Sequence, residues 1–213
     1  EGTDGIVVVG TTGESQTVDF DEHRALIKAA VDYTAKRVPV VAGTGGNSTK
    51  EAIHLTEFAK LAGADYTLSV VPYYNKPTQE GFYEHFKALA EQVDLPICVY
   101  NIPGRTAKNI EPETIARMAE LPNITLVKEA TGSLDQASQI LCTTDLTVLS
   151  GDDSLTLPFM SVGAVGVISV ASNLIPAEVK SLVNAARDGN FALAEAIHRK
   201  YYGVFTDLFI ESN

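Results

Sequence analysis

The chain is expected to fold as an α/β protein of the (β/α)₈ (TIM) barrel type, and three observations predict it. Short apolar runs of four to six residues recur along the 213 residues, each rich in Val, Ile, Leu or Thr. Helix-length amphipathic stretches alternate with them, which is the pattern of a parallel sheet flanked by helices. Polar, glycine-bearing motifs follow most of the runs, and a barrel gathers all its strand C-termini around one site, whereas an open doubly wound sheet uses only its switch point.

The expected strands are Ile6-Val9, Val38-Ala42, Tyr66-Val71, Ile97-Asn101, Thr125-Glu129, Thr147-Ser150 and Val165-Val170. They are apolar on both faces, as strands covered on two sides must be. Helices are expected over Asp21-Ala35, Thr49-Ala62, Gln79-Gln92, Glu111-Ala119, Leu134-Leu141, Ser154-Val162, Pro176-Arg187 and Phe191-Phe205, several opening on a Ser/Thr cap or an early proline. Seven strands are one short of closure, and the chain begins abruptly on a strand. The expectation is therefore a single barrel domain over residues 1–213, truncated, lacking its first β/α unit and C-terminal helices.

Composition narrows the function. Hydrophobic residues make up 45% and charged residues 20%, an ordinary globular balance, and the formal charge of −11 disfavours nucleic acid and anionic membrane surfaces as partners. There is no apolar run of about 18 residues that could span a membrane. Only two cysteines occur, Cys98 in an apolar run and Cys142, without a CxxC pair, which fits a reducing cytoplasm. The four histidines lack ligand spacing, so no metal is expected.

The most informative residue is Lys128, at the end of the apolar run Ile124-Thr125-Leu126-Val127. Burial depresses a lysine's pKa toward the neutral, nucleophilic amine, which can form a Schiff base with a carbonyl substrate. The alternative is a strand-end lysine that reaches solvent. Gly10-Thr11-Thr12-Gly13-Glu14-Ser15 follows the first strand and reads as an anion cradle or a capped turn. Pro72-Tyr73-Tyr74-Asn75-Lys76-Pro77-Thr78 supplies adjacent tyrosines, for an interface or for proton transfer. Tyr100 ends the apolar run of the fourth strand, with its hydroxyl at the barrel mouth, and Arg105 follows in a Pro-Gly turn as a surface charge or a carboxylate fork. Glycines recur at Gly151 and Gly166. Together these describe a Schiff-base lysine, a phenol and two carboxylate anchors, a set that needs no cofactor.

These residues resemble the dihydrodipicolinate (4-hydroxy-tetrahydrodipicolinate) synthases, which belong to the pyruvate-dependent class I aldolases together with N-acetylneuraminate lyase. The resemblance covers essentially the whole chain. It rests on GTTGES at Gly10-Ser15, PYYNKPTQEG at Pro72-Gly81, YNIPGRT at Tyr100-Thr106, KEATG at Lys128-Gly132, SGDD at Ser150-Asp153 and GVISV at Gly166-Val170. It implies condensation of pyruvate with L-aspartate semialdehyde on the route to diaminopimelate and lysine. Lys128 would be the Schiff-base nucleophile. Tyr100 would shuttle protons, linked through Thr12 to Tyr74, which the family contributes across a subunit interface. Thr11 and Thr12 would bind the pyruvate carboxylate, Arg105 would hold the semialdehyde's carboxylate, and Gly151 and Ile168 would line the pocket through backbone groups. A homo-oligomer, dimer or tetramer, in the cytoplasm is implied. Some members bind L-lysine as a feedback effector, and the matching positions are Ser15, Gln16, His23, Asn47, Glu51 and Tyr73. Phe20 departs from the histidine often found in sensitive members, which implies weak or moderate sensitivity.

Two other readings compete. Another pyruvate-dependent aldolase, cleaving N-acetylneuraminate or a 2-keto-3-deoxy sugar acid, would want hydroxyl partners where Arg105 offers a cation. An inactive fragment or binding protein would keep the motifs but not hold Thr12, Tyr100 and Lys128 within reacting distance.

Overall fold

Capping chemistry places most of the helices. In the computed structural model, which describes residues 2–211, the Asp19 carboxylate accepts hydrogen bonds from the amides of Asp21 and Glu22 and starts α1 at Phe20–Thr34, one residue earlier than the apolar spacing suggested. Ser48, Thr78 and Ser133 cap α2 (Thr49–Ala62), α3 (Gln79–Gln92) and α6 (Leu134–Thr143) in the same way. Proline at the first turn opens α4 (Pro103–Thr106), α5 (Pro112–Ala119) and α8 (Pro176–Arg187). Two helices remain, α7 (Thr156–Ser161) and α9 (Phe191–Asp207).

Between them run β1 (Ile6–Val8), β2 (Val40–Gly43), β3 (Tyr66–Val70), β4 (Ile97–Asn101), β5 (Ile124–Glu129), β6 (Thr147–Ser150) and β7 (Gly166–Val167). All pairs are parallel, and the strands lie in simple sequence order from β1 to β7. A doubly wound sheet reverses its order at a switch point, so that alternative is excluded. The sheet is curled. Val7 of β1 and Ile168, just beyond β7, join one apolar cluster with Leu68, Cys98, Tyr100 and Leu126 on the concave face. Ahead of β1, Asp4 pairs with Lys180 of α8 at 2.5 Å, bringing opposite ends of the sheet's order together. The main core lies on the convex side, where Phe82, Phe86, Ile115, Met118 and Ile140 pack from the helices against Val99, Val127 and Val148.

Most element ends shift by only a residue or two, and three elements differ by more than that or in kind. The last strand was expected over Val165-Val170, but the ladder covers only Gly166–Val167, because the Val170 and Ala171 amides donate to the Asp153 carboxylate instead of to a neighbouring strand. The helix expected over Ser154-Val162 divides into a 3₁₀ turn at Asp153–Leu155 and α7. Pro158 lacks the N–H that would bond Ser154 and carry one continuous helix through. The Pro-Gly turn expected around Arg105 is the short helix α4.

Candidate active site

Strand alternation sorts the residues at the strand ends. Tyr100 of β4 and Lys128 of β5 are direct partners in the parallel ladder and both face the concave side. The Lys128 Nζ lies 3.9 Å from the centre of the Tyr100 ring, over its face. Lys128 is only 8% exposed, and burial pulls its pKa down to about 8, against an opposing pull from Asp152 and Asp153 and with help from Arg105. The lysine therefore does not reach solvent as a surface charge. Burial pushes the Tyr100 phenol up to about 12, while a hydrogen bond with the Thr11 side chain acts in the other direction. Beneath them, burial also raises the Cys98 thiol to about 12, which makes it an inert packing residue.

The Gly10–Ser15 motif forms a 3₁₀ turn at Thr11–Gly13. Its Gly13 and Glu14 amides bond the carbonyls of Gly10 and Thr11, so the anion cradle is narrower than the run of residues suggests. The turn aims Thr11, not Thr12, at Tyr100, and Thr12 is exposed. Just ahead of it Val9 adopts a left-handed φ of 52°, an uncommon and strained conformation for a β-branched residue. Gly43 is what tolerates this close approach, since a Cβ there would lie 2.0 Å from the Val9 carbonyl oxygen.

The expected Tyr100–Thr12–Tyr74 relay is not assembled within one chain. Thr11 stands beside Tyr100, and Tyr74 is 89% exposed at a φ of 70°. Arg105 is an exposed residue of α4 that lines a cavity of about 480 Å³ together with Thr11, Gln16, Tyr73, Val70 and Ile102. Lys128 and Tyr100 do not line this cavity, and Thr11 and Arg105 connect it to them. Gly151 is required by strand packing. A Cβ there would meet that of Ala130 at 2.5 Å, and its amide donates to the Glu129 carbonyl at 2.8 Å. Ile168 donates its amide to Ser150 and adds its side chain to the concave cluster.

Of the six expected effector positions, four converge. The Tyr73 phenol bonds the Gln16 side chain and the Asn47 backbone, and Glu51 acts on it electrostatically. Burial is the largest influence and raises the phenol's pKa. Ser15 is half-buried on the same turn as Gln16. His23 lies elsewhere, 6% exposed, its Nε2 held 2.7 Å from the Gly43 carbonyl oxygen, so it staples α1 to β2.

Sequence reasoning missed the buried carboxylates. Asp153 accepts from the Ser169 hydroxyl and from the Val170 and Ala171 amides, holding the loop after β7. Glu129 is fully buried among amides, next to Lys128 in sequence but on the opposite face. An acid ending an apolar strand was the available signal. Among the described residues no group of three or more His, Cys, Asp or Glu is arranged to hold a metal ion.

A buried strand-end lysine with a depressed pKa, stacked on a phenol at the C-terminal edge of a curled parallel sheet, defines an enzyme of the class I, lysine-dependent aldolase type. The comparisons narrow this class. The chain belongs to the dihydrodipicolinate synthetase family, whose model matches residues 1–213. It is 55% identical over 215 residues to the 4-hydroxy-tetrahydrodipicolinate synthase of Sulfurihydrogenibium sp. (strain YO3AOP1), covering 100% of this chain and 73% of the relative. Crystal structures of three dihydrodipicolinate synthases superpose closely on all of this chain. The Aquifex aeolicus enzyme is 54% identical with a TM-score of 0.98, and 73% of it is covered. The Acinetobacter baumannii enzyme, complexed with pyruvate, is 44% identical with a TM-score of 0.97, 74% covered. The Cyanidioschyzon merolae enzyme, with lysine bound, is 45% identical with a TM-score of 0.97, 73% covered.

Proposed function

We infer that this chain condenses pyruvate with L-aspartate semialdehyde to give 4-hydroxy-tetrahydrodipicolinate, with Lys128 as nucleophile. The observation that carries the assignment is the Lys128 amine, buried, depressed to about 8 and 3.9 Å from the Tyr100 ring centre. The neutral amine attacks the ketone carbon of pyruvate, and water leaves as the imine forms. The imine makes the methyl protons acidic, and loss of one gives an enamine whose carbon attacks the aldehyde. Tyr100 passes the protons, and its hydrogen bond with Thr11 gives the phenol an outlet, since an isolated tyrosine near pKa 10 is a poor base at neutral pH. Thr11 and Thr12 take the pyruvate carboxylate, Arg105 holds that of the semialdehyde, and Gly151 and Ile168 border the substrate through their backbones. Arg105 on the cavity wall favours this acceptor over a polyhydroxylated sugar acid.

Three further readings accompany this one. The curled sheet in sequential order, with Asp4 reaching Lys180, is read as part of a (β/α)₈ barrel. Tyr74, exposed and held in a left-handed conformation, is read as a side chain given to a neighbouring copy in a homo-oligomer. The Gln16, Asn47, Glu51 and Tyr73 group is read as an L-lysine effector site, in keeping with the lysine-bound relative. No described helix is long and apolar enough to cross a membrane.

The test is incubation with pyruvate and borohydride followed by intact-mass measurement and peptide mapping. A reduced pyruvate adduct on Lys128, lost in Lys128→Ala, is expected. An adduct on another lysine, or none, would overturn the assignment.

A further inference from the structure

Immediately beyond the ladder pair Tyr100 and Lys128 comes a second pair, Asn101 and Glu129. Successive strand residues point to opposite faces, so these two lie on the helix side of the sheet, directly behind the reacting groups. Both are fully buried. A buried carboxylate is unfavourable unless its lone pairs are satisfied. Glu129 Oε1 accepts from the Thr131 amide at 2.9 Å, and Oε2 accepts from Asn101 Nδ2 at 3.2 Å and Gln136 Nε2 at 3.3 Å. All three contacts are donors, which suits an acceptor-only carboxylate.

Asn101 is fixed in turn. Its Oδ1 accepts from the Ile110 amide at 3.2 Å, and its Nδ2 also donates to Asn109 Oδ1 at 2.9 Å. The backbone closes the same junction, where the Ala130 amide donates to the Asn101 carbonyl at 2.9 Å, while the Gly151 amide, donating to the Glu129 carbonyl at 2.8 Å, ties β5 to the end of β6 on the other side. The strand ends that carry the phenol and the amine are thus joined twice, by the ladder and by a side-chain bond with little rotational freedom.

We propose that Glu129, through its buried bond to Asn101, is a positioning residue that sets the Lys128 amine against Tyr100 for imine formation. This rests on Lys128 being the nucleophile. Glu129 touches no substrate. It acts by fixing where β5 ends relative to β4, and a misplacement of about 1 Å at a reacting group can slow a reaction by roughly a hundredfold.

The conservative substitution Glu129→Gln is a sharp probe. Its amide NH₂ must face a donor whichever way it points, toward the Thr131 amide or toward Asn101 and Gln136. Gln136→Leu is the comparison, because it removes the tie to α6 and leaves the link between β4 and β5 in place. The rate of pyruvate trapping at saturating pyruvate is measured per folded molecule, well below each variant's melting temperature. Glu129→Gln is expected to trap at least tenfold more slowly, while Gln136→Leu lowers the melting temperature and traps within twofold of the parent.

A Glu129→Gln rate within twofold of the parent overturns the proposal, as does an equal loss in Gln136→Leu. If Glu129→Gln yields no folded protein, Asn101→Ser is read by the same criterion, and failure of both to fold also overturns it, since the network is then a folding determinant only. If the parent itself forms no adduct, it is the assignment of Lys128 that fails, a separable result.

Discussion

The pH dependence of imine formation is a quantitative consequence of where Lys128 sits. Its pKa is drawn from the ordinary 10.5 to about 8, first by burial. The Cys98 thiol, itself near 12, stays protonated below pH 9, so the negative charge that opposes this shift comes from Asp152 and Asp153. At pH 7 an amine of pKa 8 is about 9% neutral, against about 0.03% for an unperturbed lysine, a gain of roughly 300-fold in reactive form. The neutral fraction should rise about ninefold from pH 6 to 7, about fivefold from 7 to 8, and only about twofold from 8 to 9. The assay is single-turnover pyruvate trapping, quenched and read by intact mass. A rate that bends near pH 8 is expected, and a tenfold rise per unit continuing past pH 9 would refute the buried-amine account. The charges around the amine give the sign of two further shifts. Asp152→Asn removes an opposing negative charge and should move the bend lower, whereas Arg105→Ala removes a cation and should move it higher. By linkage, the depressed group makes the folded protein gain stability as pH rises from about 8 to about 10.5.

Three other substitutions test the geometry. Arg105→Ala should raise the KM for the semialdehyde at least tenfold and leave the yield of trapped pyruvate nearly intact; equal loss of both would refute the role given to Arg105. Thr11→Val should lower kcat by at least about tenfold, and by more than Thr12→Val, because only Thr11 meets the Tyr100 phenol; the reverse order in steady-state kinetics would restore Thr12 to the relay. Gly151→Ala should destabilise the fold by about 1–3 kcal/mol, read by chemical denaturation, because its Cβ would lie 2.5 Å from that of Ala130; an unchanged midpoint would show that the strands can part.

The features governed by local periodicity and capping were legible in the sequence. β4 and β6, and α2, α3 and α8, begin and end where expected, since their boundaries are set by nearby caps, prolines and apolar spacing. The errors arise where a distant side chain takes over the backbone. Nothing within Val165-Val170 reveals that Asp153, twelve or more residues earlier, will claim the amides that would have extended β7. The choice between Thr11 and Thr12 likewise depends on how a 3₁₀ turn rotates its hydroxyls, and two adjacent threonines give no clue to that. Lys128 is legible because a cation in an apolar run is conspicuous. Glu129 is as conspicuous by that criterion, but its role is not legible there, because its partners come from β4, from the loop after β5 and from α6.

One structural rule reconciles these outcomes. A strand end that must present a reactive side chain on the concave face necessarily turns the next residue toward the helices. In β4 and β5 that next residue is polar and fully satisfied: Tyr100 is backed by Asn101, and Lys128 by Glu129. In β6 the residue level with Lys128 is the unreactive Leu149, but the next one, Ser150, is again polar and buried; it bonds the backbone of Asp152, and Asp153 anchors the loop beside Ile168. An apolar residue at these positions would pack equally well but would leave the strand ends joined only by the ladder at the point where the ladder stops. The buried polar layer is therefore best understood as what makes the mouth of the sheet stiff enough for a depressed amine and a phenol to stay in register, and the Glu129→Gln and Gln136→Leu pair separates that role from simple stability.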